Sequence, residues 1–280
     1  MVHPQKKIRI AILDLYAGQI NQGMPCIREI IRQFDSSHGV SLETDVFDVR
    51  LKKQVPDLSY HLYISSGGPG SPLDSKGSEW EKAYFGWLSQ VEEFNRSAGP
   101  ETAKRVFFIC HSFELACRYF KIAKVCKRKS TAFGVFPAHI LPEGYDEPVF
   151  EGLDNPFFVL ESRSYQVVSP NHEKIEEMGA SVLALEKERP HVPLERVVIA
   201  IRFNEYMIGT QFHPEANAAE TSRFLRRRDK KKAVVEQHGE EKWEKMIELL
   251  DDPEKIKATY SHILPNFLEQ SIEQLLQSRP

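Results

Sequence analysis

The chain of 280 residues carries a formal net charge of −3, with 41% hydrophobic and 28% charged residues. A chain of this length can bury a sizeable core, and the composition is typical of a soluble globular protein and not of a disordered one. The small net charge gives no indication of a polyanionic partner, so we expect no nucleic-acid binding. No stretch reaches the roughly 20 apolar residues of a transmembrane helix, so we expect no membrane partner either.

The N-terminus and the cysteines indicate a cytoplasmic protein. The apolar stretch within residues 1–16 is interrupted by Arg9 and Asp14 and has no small-residue cleavage site, so we expect no signal peptide. The four cysteines lack the spacing of metal ligands and are too few to cross-link a chain of this size. They are Cys26, Cys110, Cys117 and Cys126. We therefore expect reduced thiols, with no metal and no cofactor.

The first part of the chain alternates strand-like and helix-like segments. Their order is a strand at 8–16, a helix at 25–34, a strand at 42–50, a strand entering a Gly/Pro loop at 61–72, an amphipathic helix at 78–94 opened by Ser78, and a strand at 105–110 followed by a helix. Such alternation favours a parallel sheet with helices on both faces.

The chain changes character between about 130 and 211, where Pro, Gly and Asn turns separate short strand candidates. These candidates are 130–141, 156–162, 165–169, 181–188, 196–203 and 206–212. We interpret them as a small antiparallel annex to the parallel sheet, within one domain of residues 1–215.

The chain becomes charged and helical after about 216, which predicts a helical C-terminal extension over 216–280. The basic run RRRDKKK at 226–232 is balanced by nearby acidic residues and has no interleaved aromatic residues. It therefore favours a solvated helical face over a polyanion site. The apolar positions of the last helix predict packing on the body of the protein or on a second subunit, such as a homodimer partner.

One segment combines a buried strand with a reactive residue. VFFICHSFELA, residues 106–116, is an apolar run that ends in Cys110 and is followed at once by His111 and Ser112. A thiol at a strand-to-helix turn is exposed at the carboxyl end of the sheet, and the dipole of the following helix stabilises the thiolate. The pattern predicts that Cys110 is a nucleophile.

A nucleophilic cysteine needs a base and an oxyanion site, and two other segments provide them. GTQFHPEA places His213 after a strand candidate, with Glu215 two residues further on to orient the ring. The glycines of SSGGPGSP, residues 65–72, allow backbone N–H groups to approach an oxyanion. We expect these groups to converge, with the Cys110 sulfur about 3 to 4 Å from the His213 ring.

These motifs resemble those of the class I glutamine amidotransferases, over residues 8 to about 216. IGTQFHPEA is similar to the family's G-x-Q-F-H-P-E motif, and SGGPGSP looks like its oxyanion loop. The resemblance implies a flavodoxin-like, doubly wound and mostly parallel sheet. It also implies hydrolysis of the glutamine side-chain amide through a cysteine thioester.

The resemblance assigns roles to individual residues. Cys110 would be the nucleophile, His213 the general base and Glu215 its orienting carboxylate. The backbone N–H groups of Gly68 and His111 would stabilise the oxyanion. The substrate-binding candidates are Glu114, Ser164 and Tyr165. Released ammonia would pass to a synthetase partner, as in GMP synthesis.

The chain departs from the family's G-x-C-x-G elbow, because Phe108 and Ser112 replace both glycines. We expect positive φ at Cys110, with the Phe108 ring packed between sheet and helix. Glu114 replaces a glutamine of the family and is expected to present a carboxylate to the substrate, unless it only pairs with Arg118. We expect the His111 side chain on the surface, at the start of the helix.

Two alternatives to a glutaminase follow from these departures. One is a stand-alone hydrolase of another γ-glutamyl compound, which the altered pocket and the absence of a synthetase domain would suit. The other is a catalytically silent family member that acts as a binding or regulatory subunit.

Overall fold

The computed structural model describes residues 7–38 and 40–276. Residues 1–6 lie outside the described residues. They are the start of the segment in which we expect no signal peptide. The end of the expected helical extension, residues 277–280, also lies outside the described residues.

In the described part of the chain, nine strands form one continuous sheet. They are β1 (Lys7–Asp14), β2 (Ser41–Asp48), β3 (Leu62–Ser65), β4 (Arg105–Ile109), β5 (Ala123–Ile140), β6 (Phe157–Pro170), β7 (Ser181–Glu186), β8 (Val198–Asn204) and β9 (Met207–Thr210). Their order across the sheet is β2-β1-β3-β4-β9-β8-β6-β5-β7, with a further pairing between β7 and β8.

The sheet contains both parallel and antiparallel pairs. The fold belongs to the α/β class, as expected. The five strands β2, β1, β3, β4 and β9 pair in parallel with one another. Among the described strands, the five remaining pairings are antiparallel. The expectation of a mostly parallel sheet with a small annex is therefore not met, because β8 pairs with β9 and continues the same sheet instead of leaving it.

Two strands are longer than the sequence predicts. The segments 156–162 and 165–169 belong to one strand, β6, which pairs along β5 in a long antiparallel hairpin. The register of this hairpin shifts between Lys127 and Ala132, and the shift accommodates the extra residues on β5. Polar residues such as Ser162 and Ser164 interrupt the apolar alternation of β6, which is why the sequence pattern divided this strand. The sequence pattern also began the other segment at 130, whereas β5 begins at Ala123.

Helices cover both faces of the sheet. They are α1 (Gly23–His38), α2 (Val49–Lys52), α3 (Glu79–Asn95), α4 (His111–Phe120), α5 (His172–Met178), α6 (Ala218–Leu225), α7 (Arg228–His238), α8 (Glu240–Asp251) and α9 (Pro253–Leu276). Apolar residues of α1 and α9 pack on one face, and those of α3 and α4 pack on the other. As predicted, Ser78 caps α3, with its hydroxyl accepting from the Glu81 N–H.

The last helix is packed into the body of the protein. Phe267 of α9 is 2% exposed, and its ring lies 5.3 Å from that of Phe107 on β4, centroid to centroid. Thr259, also on α9, donates a hydrogen bond to the Phe158 carbonyl of β6 at 2.5 Å. The core therefore includes residues more than 150 positions apart in the sequence.

Four cations of the basic run pair with carboxylates of the described residues: Arg226, Arg227, Lys231 and Lys232. Arg226 pairs with Asp251 at 2.5 Å, and Lys231 pairs with Glu240 at 3.1 Å. These pairs are largely exposed, and each is worth little in stability. No described helix is long and apolar enough to cross a bilayer.

The packing of α9 makes a prediction about stability. Replacing Phe267 by Ala should lower the free energy of unfolding by about 3 to 5 kcal/mol, because it leaves a cavity beside Phe107. Urea denaturation followed by circular dichroism measures this change. Leu276→Ala, on the same helix but 36% exposed, is the control and should cost less than about 1 kcal/mol. Equal effects of the two substitutions would contradict the role of α9 in the core.

Candidate active site

Cys110 occupies the turn between β4 and α4. Its φ of 48° and ψ of −99° lie in the left-handed half of backbone space, so the expected positive φ is confirmed. The Cys110 N–H donates to the Thr210 carbonyl at 2.7 Å, and the Cys110 carbonyl accepts from the Glu114 N–H at 3.0 Å. These bonds to β9 and α4 hold the cysteine at the carboxyl end of β4 in an unfavourable conformation.

The residues that replace the elbow glycines are fully buried. The Ser112 hydroxyl donates to the Ser65 carbonyl at 2.7 Å and accepts from the Ile109 N–H at 2.8 Å. The Phe108 ring packs 5.7 Å from that of Phe203, between the sheet and the helices, as expected. Both substitutions therefore support the turn from inside the protein. Cys110 is itself only 5% exposed, so the expected exposed thiol is instead a buried one that lines a cavity.

His213 and Glu215 lie beside Cys110. The His213 Nδ1 and Glu215 Oε1 atoms are 2.8 Å apart, and Glu215 is 1% exposed. Burial lowers the pKa of His213, but the negative charges of Glu215 and Cys110 and its hydrogen bonds to them outweigh this effect and raise the pKa well above its ordinary value. The ring therefore favours the imidazolium form, the state that stabilises a thiolate.

Tyr16 completes this side of the site, and no motif in the sequence pointed to it. A Cβ at Gly23 would lie 2.2 Å from the Tyr16 hydroxyl and 2.9 Å from Glu215 Oε1, so both atoms pack directly against this glycine. Burial, followed by the charge of Glu215, raises the pKa of Tyr16 well above its ordinary value. The phenol is therefore neutral and faces the buried carboxylate.

The glycine loop after β3 passes close to the end of β1. A Cβ at Gly68 would lie 2.5 Å from the Leu15 carbonyl oxygen, so no other residue fits without moving the backbone. Arg50 donates to the Pro69 carbonyl at 2.6 Å, and Arg118 donates to that of Pro72. Two arginines therefore hold the loop in place: Arg50, to which no motif in the sequence pointed, and Arg118, which the sequence analysis considered only as a partner of Glu114.

The His111 side chain is buried, and the expectation of a surface position is wrong. It is 1% exposed, and its Nε2 has no hydrogen-bond partner. Burial, followed by the charges of Arg50 and Arg118, lowers its pKa to about 3. The ring folds inward because the glycine loop and these two arginines cover the start of α4.

Glu114 is also buried, at 3% exposure, and it does not pair with Arg118. Its Oε1 accepts from Gln211 Nε2 at 3.0 Å, whereas Arg118 pairs with Glu81 at 2.5 Å. Burial raises the pKa of Glu114 to about 8, although nearby Arg163 opposes the rise. The expectation of an ionised carboxylate at neutral pH is therefore not supported.

A cavity of about 510 Å³ opens in front of Cys110 and brings the substrate-binding candidates together. It is lined by Glu114, Ser164 and Tyr165, among others. Ser164 is exposed, and its hydroxyl lies 3.2 Å from that of Thr131. Among the described residues, no group of three or more His, Cys, Asp or Glu side chains is arranged to hold a metal ion.

The model of the family "Glutamine amidotransferase class-I" matches residues 21–231, which is most of the chain. The chain belongs to this family. Members of the family generally hydrolyse the side-chain amide of glutamine. A search of curated proteins found no match to this chain.

Solved structures share the fold of this chain at low sequence identity. A Thermotoga maritima glutamine amidotransferase is 17% identical with a TM-score of 0.67, covering 95% of this chain and 98% of the other. A putative GMP synthase subunit from Thermoplasma acidophilum is 14% identical, with a TM-score of 0.60 and coverages of 97% and 98%. The glutaminase domain of Trypanosoma brucei CTPS with bound acivicin is 13% identical, with a TM-score of 0.58 and coverages of 98% and 95%.

Burial of Glu114 gives this protein a pH-dependent stability. A raised carboxyl pKa means that the unfolded state ionises near pH 4.5 while the folded state stays protonated to about pH 8. Folding therefore becomes less favourable between these two values. The stability advantage of Glu114→Gln over the wild type should grow by about 3 kcal/mol from pH 5 to pH 8, as measured by urea denaturation.

Glu81→Gln is the matched control, since Glu81 is also 3% exposed. Burial of Glu81 raises its pKa, but hydrogen bonds from Arg118, the Gly77 N–H and Ser75 outweigh this effect and lower it overall. Glu81 is then ionised in both the folded and the unfolded state above pH 5. Its stability difference from the wild type should stay constant between pH 5 and 8. A constant difference for Glu114→Gln as well would refute the raised pKa.

Proposed function

We propose that this protein hydrolyses the side-chain amide of glutamine, or of a related γ-glutamyl compound, through a thioester on Cys110. The contact chain from Cys110 through His213 to Glu215 carries the proposal. It joins a thiol at a strained turn to a ring whose pKa is raised. The flavodoxin-like arrangement implied by the resemblance belongs to the same proposal, and five adjacent parallel strands support it.

The proposed reaction has two steps. In the first, the Cys110 thiolate attacks the amide carbonyl carbon, and the C–N bond breaks as its electron pair passes to nitrogen. The leaving nitrogen takes a proton from the His213 imidazolium, and ammonia or an amine departs. In the second, His213 takes a proton from water, the resulting hydroxide attacks the thioester, and glutamate and the thiolate are released.

The other candidate residues have proposed roles in this reaction. The N–H groups of Gly68 and His111 would stabilise the oxyanion, since one belongs to the glycine loop and the other to the positively polarised start of α4. Ser164 and Tyr165 would contact the α-amino and α-carboxylate end of the substrate. A protonated Glu114 can donate a hydrogen bond there, which an ionised one cannot.

The destination of the ammonia is part of the proposal. A synthetase partner is supported by the likeness to the putative GMP synthase subunit from Thermoplasma acidophilum. A cytoplasmic location is supported by four cysteines that are all free. We also propose that a domain boundary lies at 215/216. A homodimer contact through the last helix belongs to the same proposal.

A glutamine-mimicking electrophile such as acivicin tests whether the site is active. Cys110 should be labelled at one equivalent, as measured by intact mass spectrometry and peptide mapping. His213→Asn should slow labelling by about 100-fold, because the ring no longer holds the thiolate. Cys117 is an internal control, since it is fully buried and burial raises its pKa. Absence of any adduct on Cys110 would favour the silent regulatory subunit.

The pKa of Glu114 predicts how activity depends on pH. Above about pH 8 the ionised carboxylate repels the α-carboxylate of glutamine. The ratio of kcat/KM for Glu114→Gln to that of the wild type should rise from about one at pH 6.5 to about tenfold at pH 9.5. Steady-state assays of glutamate release measure the ratio. A ratio that stays flat would remove Glu114 from substrate recognition.

A further inference from the structure

Cys110 lies between two cavities, only one of which the proposed glutamine site uses. The second cavity has a volume of about 310 Å³ and shares Gly68, Cys110 and Ser162 with the first. It extends from the thiol towards the start of α1 and the helices α6 and α8. A reacting carbonyl at Cys110 would therefore have space on two sides.

The chemistry of the two sides is different. His213 and Glu215 line the second cavity, whereas His111 and Glu114 line the first. A leaving nitrogen must receive its proton from the His213 ring, so it departs on the side that this ring faces. The second cavity is therefore where the amine half of a γ-glutamyl amide would lie.

The second cavity is much larger than ammonia requires. A molecule of that size takes up about 30 Å³, the volume of one water in the liquid. Its far wall is apolar and is formed by Phe224, Leu225 and Met246, of which Leu225 and Met246 are buried. Ile20, which is 77% exposed, stands at the rim. Apolar walls of this extent match a hydrocarbon substituent.

The charges around the second cavity disfavour leaving groups that carry a charge of either sign. Among the described residues that line it, there is no lysine or arginine, and the one cation, the His213 imidazolium, is already paired with Glu215, so a leaving group with a free carboxylate would lose its hydration without a free counter-charge. Glu215 is the one carboxylate among them, and it is engaged with His213 at 2.8 Å. A cationic polyamine would therefore also lack a free partner.

We infer that the second cavity is a leaving-group subsite, and that the preferred substrates are γ-glutamyl amides of primary amines whose substituent is uncharged and apolar. This inference rests on the proposed hydrolase function. The C–N bond that breaks then joins the γ-carbonyl carbon to an alkyl- or arylalkyl-substituted nitrogen. The electron pair stays on that nitrogen, which takes the His213 proton, and the free amine leaves through the second cavity.

Three substrates with the same acyl group test the inference. They are glutamine, γ-glutamylphenethylamide and γ-glutamylphenylalanine, and the last two differ only by one carboxylate. The phenethylamide should exceed glutamine in kcat/KM by about tenfold or more, because its ring is buried against apolar walls. It should exceed γ-glutamylphenylalanine by a similar factor. Equal or higher values for glutamine would overturn the inference.

A charge at the rim tests the location of the subsite. Ile20→Asp should lower the ratio of phenethylamide to glutamine kcat/KM by about fivefold or more, because the ring would then approach a carboxylate. Leu194→Asp is the control, since Leu194 is also exposed, at 49%, and lies outside the second cavity. This control should leave both rates unchanged. An unchanged ratio for Ile20→Asp would place the amine elsewhere.

A binding measurement separates the failure of this inference from failure of the proposed function. Calorimetry on Cys110→Ala should give a dissociation constant for the phenethylamide at least about tenfold below that for glutamine. If labelling and turnover both fail but this preference holds, the hydrolase proposal falls and the apolar subsite stands. Turnover of glutamine without any preference for the phenethylamide would leave the hydrolase and remove the subsite.

Discussion

The left-handed backbone at Cys110 is the constraint on which the rest of the site depends. A non-glycine residue at positive φ costs of order 1 to 3 kcal/mol, so the surrounding structure must hold it. The Thr210 carbonyl fixes the Cys110 N–H from β9, and the Ser112 hydroxyl joins β3 to β4 through Ser65 and Ile109. The parallel half of the sheet therefore places the thiol at the ends of β4 and β9, where the chain then reaches His213.

The replacement of the first elbow glycine by Phe108 is accommodated on the neighbouring strand. Phe108 of β4 is in register with Gly209 of β9, and a Cβ at Gly209 would lie 2.9 Å from both Phe108 Cβ and Phe113 Cδ2. The space that a side chain at 209 would occupy is filled by these aromatic rings, which pack around Phe203. Gly209, which is also the first residue of the G-x-Q-F-H-P-E motif, therefore leaves the space into which Phe108 packs.

The C-terminal helices form part of the site as well as part of the core. Val234 and His238 of α7 line the first cavity, while Leu225 of α6 and Met246 of α8 line the second. The ring of His238 stacks on Phe133 of β5 at 4.8 Å between centroids, and Phe133 lines both cavities. The helical extension thus contributes to the walls of the cavities on both sides of Cys110.

The sequence by itself determined the element types and the ends of the strands that carry Cys110, His213 and the glycine loop. These features follow from local periodicity and turn chemistry, which neighbouring residues encode. It did not determine that β5 to β8 continue the sheet, that His111 is buried, or that Glu114 bonds Gln211 while Arg118 bonds Glu81. Those outcomes depend on which distant segments exclude water from a polar group. Only the tertiary structure decides the partner and the pKa of a buried charge, because its desolvation and its partners come from segments far away in the chain.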